Sequence, residues 1–301
     1  MLKSQVSNKR VRAAVGLVLL AGLLIQGHKA VTNRTETVAS PVAIAGPARP
    51  SPSEAIASPV AGMPLPAETL EVFAARDPVA FFEAALDRYD RSVRDYTCTF
   101  TKQELVAGKL SKEQVINAMF CQKPFSVRFE WVKNPDKCSR VLYVADRLVK
   151  DGQQMAIIEP GAIAKLFVSY VERPIHGEDA KKSSRRTIDQ FGLRNSLVLI
   201  LKYCKMARER KILDFTGVGS GEVEDRPTLV FERRLPYTGE DGAWPDRVLV
   251  VHMDKELLVP TLCTSYADDQ KQALLGKYMM TGVKLNANLP DSVFTKEGMG
   301  L

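Results

Sequence analysis

Short segments of the chain alternate between apolar and polar residues. From residue 96 onward, Tyr96, Cys98 and Phe100 are separated by threonines, and this period of two is typical of a strand with one buried face. Turn residues follow at 107–109, and a second alternating segment occupies residues 114–121. The two segments are therefore predicted to pair as a hairpin.

The alternation continues through the rest of the chain. Val127, Phe129 and Trp131 share one face of a strand, opposite Arg128 and Glu130. Further strands are predicted at residues 141–144, 154–158, 211–215, 228–234, 248–253 and 278–285. Turns rich in Gly, Pro or Asp separate most of these strands, and no helix alternates with them. The pattern favours one antiparallel sheet, which must curve or close because so many strands have to protect their edges.

Two segments have the three- and four-residue spacing of an amphipathic helix. The first begins with Asp77 as N-cap and Pro78 in the first turn, and it ends near Arg91. The second is predicted to start at Thr187, because Gln190 three residues later completes the spacing of a capping box. Its apolar stripe runs to about residue 208. The predicted fold class is therefore α+β, with a curved antiparallel sheet covered by helices.

The N-terminus has the pattern of an export signal. Residues 1–12 contain four Lys and Arg and no acidic residue, and thirteen apolar residues follow at 13–25. This arrangement matches a secretory signal, since a membrane-spanning helix needs about twenty apolar residues. Residues 1–30 are predicted to be a signal peptide or a signal anchor. Either would place the protein in the periplasm or cell envelope, and an anchor would hold it in the inner membrane through residues 13–25.

A linker is predicted between this signal and the folded domain. Residues 31–75 are rich in Pro, Ala and Ser without any periodicity, as expected for a disordered linker, which leaves residues 76–301 as a single domain. The formal net charge of the chain is +7, but five of these charges lie within residues 1–30. The remaining charge does not indicate a nucleic-acid-binding surface, so no nucleic-acid partner is predicted.

Several short motifs together resemble a known family. They are the segments 95–100 (DYTCTF), 102–104 (KQE), 123–127 (KPFSV), 141–144 (VLYV), 192–195 (GLRN) and 284–286 (KLN). In this order and spacing they are similar to the uncharacterised bacterial domain-of-unknown-function family 1571. That family is in turn similar to the periplasmic lipoprotein carriers of the LolA and LolB type.

The resemblance implies an open antiparallel half-barrel whose helices form a lid over an apolar cavity. It implies no measured activity, because the family has none assigned. The long Pro-rich linker departs from the ordinary carrier, which is a free soluble protein with a short leader.

Apolar side chains of the strands and of the second helix are the candidate lining of such a cavity. The candidate ligand-binding residues are Phe100, Phe129, Trp131, Tyr143, Leu197 and Leu201. A short basic run precedes the helix and consists of Lys181, Lys182, Arg185 and Arg186. This run is either a solvated loop or a contact with anionic lipid head groups or an acidic partner at the cavity mouth.

Residue types that carry catalysis are scarce in the predicted domain. His176 and His252 are its two histidines, too few for a zinc site, and no Cys-x-x-Cys pair occurs. Cys98 is either a small buried residue or half of a disulfide with Cys121. The glycine-rich segment 217–221 lacks the helix that a phosphate-binding loop needs, and it is predicted to be a hairpin loop. No metal, cofactor or catalytic residue is predicted.

Two functions are compatible with these patterns. The first is a non-enzymatic envelope protein that binds a lipid, an acyl chain or a lipoprotein in an apolar cavity under a lid helix. The second is a membrane-tethered structural module that binds a protein partner and no small ligand. Export, aromatic strands and the helix stripe favour the first function, and the linker favours the second.

Overall fold

The computed structural model describes residues 69–135, 137–161 and 164–301. The predicted signal at residues 1–30 and the predicted linker up to residue 68 lie outside the described residues, so both stay predictions.

The strands of the described residues form one sheet in which neighbours are antiparallel. They are β1 (Asp95–Val106), β2 (Lys109–Leu110), β3 (Gln114–Cys121), β4 (Ser126–Lys133), β5 (Cys138–Val144), β6 (Val149–Lys150), β7 (Gln153–Pro160), β8 (Val171–Pro174), β9 (Asp214–Val223), β10 (Arg226–Arg234), β11 (Val248–Asp254), β12 (Pro260–Tyr266) and β13 (Leu274–Leu285). The order across the sheet is β6-β7-β5-β4-β3-β1-β13-β12-β11-β10-β9, with β2 paired to β1 and β8 to β7. Because the outermost strands β6 and β9 do not meet, the curved sheet stays open, and the predicted α+β half-barrel is confirmed.

The centre of the sheet joins the first and last strands. β1 lies between β3 and β13, and its pairing with β13 runs from Tyr96 opposite Leu285 to Glu104 opposite Gly276. On its other side β1 forms the predicted hairpin with β3, where Asp95 lies opposite Cys121. The two halves of the sheet therefore meet along β1 and β13.

Four α-helices accompany the sheet in the described residues: α1 (Leu70–Arg76), α2 (Pro78–Ser92), α3 (Glu178–Ser183) and α4 (Leu193–Glu209). Asp77 caps α2 as predicted, since its side chain accepts a hydrogen bond from the amide of Ala80 at 3.0 Å. Helix α1 falls in the last residues of the range 31–75 that was assigned to the linker, so ordered structure begins earlier than residue 76. No helix of the described residues is long and apolar enough to cross a membrane.

Helix α4 begins at Leu193, six residues after the predicted N-cap Thr187. Thr187 makes no capping hydrogen bond, and Ile188–Gln190 forms a separate 3-10 turn. The N-cap of α4 is Gly192, whose φ of +122° favours glycine. A Cβ at this position would lie 3.2 Å from the hydroxyl oxygen of Tyr96, which accepts a hydrogen bond from the amide of Leu193. The helix therefore starts where it docks onto β1.

Helices α2 and α4 cover the inner face of the sheet and form the main core with it. An aromatic cluster lies under α2, where the ring centroid of Phe82 is 4.8 Å from Phe231 and 5.2 Å from Phe215. The stripe of α4 that packs in this core is buried at Leu193, Leu197, Ile200, Leu201 and Cys204. Ala207, one turn further on, packs in a separate cluster with Leu235 and Trp244.

The glycine-rich segment 217–221 lies inside strand β9, so its prediction as a hairpin loop was wrong. The turn comes later, at residues 224 and 225. Helix α1 packs against this edge strand so closely that a Cβ on Gly217 would lie 3.4 Å from the carbonyl oxygen of Ala74. The small residues of β9 thus allow helix α1 to lie close against the strand. They do not form a turn.

The C-terminal segment covers part of the outer face. Phe294 and Met299 pack with Leu142 and Val144 of β5 in a second apolar cluster. Arginines of β4 and the β5–β6 turn hold the segment through its backbone: Arg128 donates to the carbonyl oxygens of Val293 (3.1 Å) and Gly298 (2.8 Å), and Arg147 donates to that of Phe294 (2.7 Å).

Candidate functional site

A cavity of about 700 Å³ lies between the inner face of the sheet, helix α4 and the connecting segment 175–192. Much of its sheet side is apolar. The apolar part of this side is formed by Phe100, Phe129, Trp131, Val141, Ala156, Ile158, Leu249 and Met280. These residues lie on strands from both halves of the sheet, so the open curvature of the sheet creates the space.

Aromatic rings form the centre of the apolar side. The ring centroid of Phe129 is 6.1 Å from that of Phe100, 5.8 Å from that of Trp131 and 4.7 Å from that of Phe191. The indole Nε1 of Trp131 donates to the Oε1 of Gln114 at 3.2 Å, which satisfies its one polar atom. The arrangement offers ring surface to an apolar ligand.

The predicted ligand-binding residues divide into two groups. Phe100, Phe129 and Trp131 line the cavity. Leu197 and Leu201 are 0% and 4% exposed and pack in the main core, because the most apolar stripe of α4 faces the sheet. Tyr143 is buried in the same core, with its ring centroid 6.0 Å from that of Phe125. These three side chains belong to the packed interior rather than to the cavity wall.

The lid side of the cavity was not predicted from the sequence. Helix α4 contributes the face beside its buried stripe, including Val198, Leu199 and Tyr203. The segment that carries α3 and leads to Phe191 forms the rest. One feature of the sequence could have identified this face of α4. The face contains apolar residues although it lies outside the main apolar stripe, as expected for a helix surface that faces a cavity.

A buried carboxylate connects this segment to the sheet. Glu104 accepts hydrogen bonds from Lys102 Nζ (2.8 Å), Ser184 Oγ (2.9 Å), the Arg185 amide (3.2 Å) and the Tyr278 hydroxyl (2.7 Å). Burial raises the pKa of this carboxyl, but the Lys102 ammonium and the hydrogen bonds outweigh burial, so the pKa of Glu104 lies below its ordinary value. The ionised group therefore holds Ser184 and Arg185 of the segment against β1 and β13.

Glu104→Gln is expected to lower the free energy of unfolding by about 1–3 kcal/mol at neutral pH, because Lys102 loses its carboxylate partner. The folded-state pKa is depressed, so the contribution of Glu104 is present above its unfolded pKa of about 4.3 and is lost as the pH falls through the folded value. The difference between wild type and variant should therefore shrink on acidification. Urea unfolding of both proteins at neutral pH and at about pH 3 measures it. A constant difference would contradict the prediction.

A second buried ion pair lines the cavity. Arg233 Nη2 lies 3.0 Å from Asp246 Oδ1, and the two side chains are 1% and 6% exposed. Arg233 Nη1 also donates to the carbonyl oxygen of Ile200 at 3.4 Å. Its guanidinium lies over the ring of Tyr203, 5.7 Å from the centroid. The pair joins β10 to α4 and places charge in the cavity wall.

The basic run divides between the surface and the cavity. Lys181 and Lys182 are exposed on α3, where Lys181 lies 3.3 Å from Glu178. Arg185 and Arg186 line the cavity. The run is thus not one continuous surface patch.

The cysteines of the described residues are free thiols. Cys98 lies opposite Ala118 in the β1–β3 pairing, not opposite Cys121, and both cysteines are unbonded. Burial raises the pKa of Cys98 and of Cys263 to about 12, so neither is a ready thiolate nucleophile.

The two histidines lie apart. His252 Nδ1 lies 3.0 Å from the hydroxyl of Thr228, and burial lowers its pKa. His176 lies 3.3 Å from Asp189. Within the described ranges, no group of three or more His, Cys, Asp or Glu side chains is arranged to hold a metal ion.

Solved structures of low sequence identity share parts of this fold. A DUF1329 family protein from Desulfovibrio piger is 13% identical over 74% of this chain and 99% of its own, with a TM-score of 0.37. The lipoprotein LppX from Mycobacterium tuberculosis is 12% identical over 71% of this chain and 98% of its own (TM-score 0.40), and a LolA superfamily protein from Nitrosomonas europaea is 9% identical over 72% and 98% (TM-score 0.21). Similarity at this level transfers no ligand or activity.

The sequence itself gives a more specific relationship. No curated protein has significant similarity to the chain. Residues 93–298, more than half of the chain, match the family described as protein of unknown function (DUF1571), and the chain therefore belongs to this family, as its motifs predicted.

Proposed function

We propose that this protein is an exported, non-enzymatic envelope protein that binds a lipid, an acyl chain or a lipoprotein in the cavity under α4. The observation that carries the proposal is a space of about 700 Å³ with an aromatic floor at Phe100, Phe129 and Trp131. Cavities of this size and character are typical of small-molecule sites. The N-terminal signal pattern supports export.

Binding would rest on burial of hydrocarbon surface. Each methylene transferred from water to the aromatic floor contributes about 0.8 kcal/mol, so a chain of about ten methylenes contributes on the order of 8 kcal/mol before the cost of association is subtracted. Catalysis is not part of the proposal. The raised pKa values of Cys98 and Cys263 support this, because they remove two potential nucleophiles near neutral pH.

The proposal also gives a role to the exposed part of the basic run. Lys181 and Lys182 are exposed on α3, and α3 residues such as Asp179 and Ala180 line the cavity. We propose that these two lysines face an anionic membrane surface when ligand enters or leaves, since each cation near such a surface contributes about 1 kcal/mol.

The direct test is native mass spectrometry of the full chain, exported in a bacterial host and purified without detergent. Denaturation followed by solvent extraction should release a reproducible lipid or acyl mass. A bare protein mass, together with no uptake of added fatty acid or lysolipid, would contradict the proposal. It would favour the tethered interaction module, for which capture of one envelope protein is the next measurement.

Leu199→Asp is expected to reduce the retained ligand at least tenfold, because it places a carboxylate in the cavity wall of α4, where burial of an acyl chain would desolvate it. Leu199 is half-buried, so the fold should survive. Leu110→Asp is the matched control, since Leu110 is exposed on β2 away from the cavity. Ligand per protein, measured by extraction, should be unchanged in the control. Equal loss in both variants would contradict the assignment of the cavity.

A further inference from the structure

The cavity wall carries more positive than negative side chains. Among the described residues that line it, seven are Lys or Arg and four are Asp or Glu. In the low-dielectric surroundings of a cavity, such an excess favours anionic ligands and disfavours cationic ones. An acyl chain is uncharged and needs no charged group in its binding site. The excess of positive side chains therefore suits a ligand whose other end is anionic.

Three of the four carboxylates of the wall have cationic partners. Those of Glu104 and Asp246 belong to the two networks described above, and Asp179 lies 3.7 Å from Arg173. Asp189 lies 3.3 Å from His176, which is charged only when protonated, and its Oδ1 is buried without a hydrogen-bond partner in the described residues. Asp189 is therefore the one carboxylate of the described wall whose charge opposes a bound anion.

One half-buried cation of the wall lacks such a partner. Arg186 lines the cavity, and it makes neither an ion pair nor a hydrogen bond with the residues that the structure describes. Arg185 beside it is engaged, with Nη1 3.1 Å from Glu240. The next residue, Thr187, also lines the cavity, and its hydroxyl oxygen is buried without a hydrogen-bond partner in the described part of the chain. A cation and a hydroxyl that both lack partners suit one anionic group.

This polar end is continuous with the aromatic floor. The ring of Tyr278 stacks on Phe100 at 6.4 Å with an interplanar angle of 7°. Its hydroxyl donates to Glu104. Burial and the Glu104 carboxylate raise the pKa of this hydroxyl. Tyr278 and Arg186 line the same cavity, so the apolar rings and this cation face one space.

We propose that the ligand is an amphiphile with an anionic head group, a carboxylate or a phosphate, and that Arg186 binds this head while the chain lies on Phe100 and Phe129. The inference rests on the proposed function and specifies its ligand. Thr187 donates its hydroxyl hydrogen to the same head group.

Displacement of the neutral dye Nile red from the full chain tests the proposal. The competitors are dodecanoate, dodecyl phosphate, dodecanol and dodecyltrimethylammonium, which share one chain and differ in head group. Arg186→Gln is expected to weaken the binding of an anionic competitor relative to dodecanol by about tenfold, since it removes a charge-assisted hydrogen bond. Arg186→Lys should retain part of the preference. Arg208→Gln removes the same charge from an exposed position of α4 outside the cavity, and it should behave as wild type.

The outcomes separate the two proposals. Failure of wild type to bind dye or any competitor overturns the proposed function together with this inference. Binding of all competitors with a preference that Arg186→Gln leaves unchanged overturns the inference alone. If Arg186→Gln does not fold, the test is the order of competitor affinities in the wild-type protein. The inference fails when dodecyltrimethylammonium binds to wild type as tightly as both anions. The better of the two anions identifies the head group as carboxylate or phosphate.

Discussion

Asp246→Ala is expected to lower the free energy of unfolding by about 3–5 kcal/mol, because it leaves the charge of Arg233 buried without a carboxylate. Arg233 is buried on β10, and its guanidinium also donates to the backbone of α4. Loss of the carboxylate therefore affects the contact between sheet and helix as well as the cavity wall. Equilibrium unfolding in urea, followed by circular dichroism, measures the change.

Two controls define the origin of this loss. Asp90→Ala removes the partner of Arg194 from an ion pair of 2.6 Å that is half-exposed, and it should cost less than about 1 kcal/mol. The double variant Arg233→Met with Asp246→Leu removes both charges and should recover most of the stability. If the double variant is as unstable as Asp246→Ala, lost packing rather than an uncompensated charge is the cause.

Leu197→Ala is expected to cost about 2–5 kcal/mol of unfolding free energy, whereas Leu199→Ala on the same helix should cost about 1 kcal/mol or less. Leu197 is fully buried in the main core, and Leu199 is half-buried and lines the cavity. The two substitutions remove the same atoms two residues apart, so the comparison isolates the direction in which each side chain points. Thermal or urea unfolding measures both.

Ligand binding should show the reverse order. At concentrations where both variants are folded, Leu199→Ala should weaken dye binding more than Leu197→Ala, because it removes apolar surface from the cavity wall. Equal stability losses, or stronger loss of binding in Leu197→Ala, would contradict the assignment of the two faces of α4.

The local pattern of the sequence was sufficient for most of the strands and for helix α2. Strands β8 and β12 were not predicted, and β9 begins at Asp214 rather than at residue 211. Tyr96, Cys98 and Phe100 alternate with polar residues and are all buried in β1. The capping side chain of Asp77 satisfies an amide within its own helix turn. Such features depend on neighbours close in sequence, and a single sequence therefore reveals them.

Features that depend on contacts between residues far apart in the sequence were predicted less well. Thr187 and Gln190 have the spacing of a capping box, yet α4 starts only where Gly192 meets Tyr96 of a distant strand. Residues 217–221 are typical of a loop by composition, but they pair with β10 as part of strand β9, and helix α1 packs against Gly217. Leu197 was assigned to the cavity because it is apolar and helical, although the strongest stripe of a helix packs into the core.

The meeting of β1 and β13 at the centre of the sheet constrains the order in which the chain can fold. Both strands that join the halves must be present, and one of them ends at Leu285. During synthesis, residues 95–174 can form local hairpins, but they cannot become continuous with β9–β12 until β13 is available. Long-range pairing of this kind slows folding and leaves apolar strand faces exposed to aggregation in the meantime. Assembly of the cavity is consequently a late event, completed only after β13 has emerged.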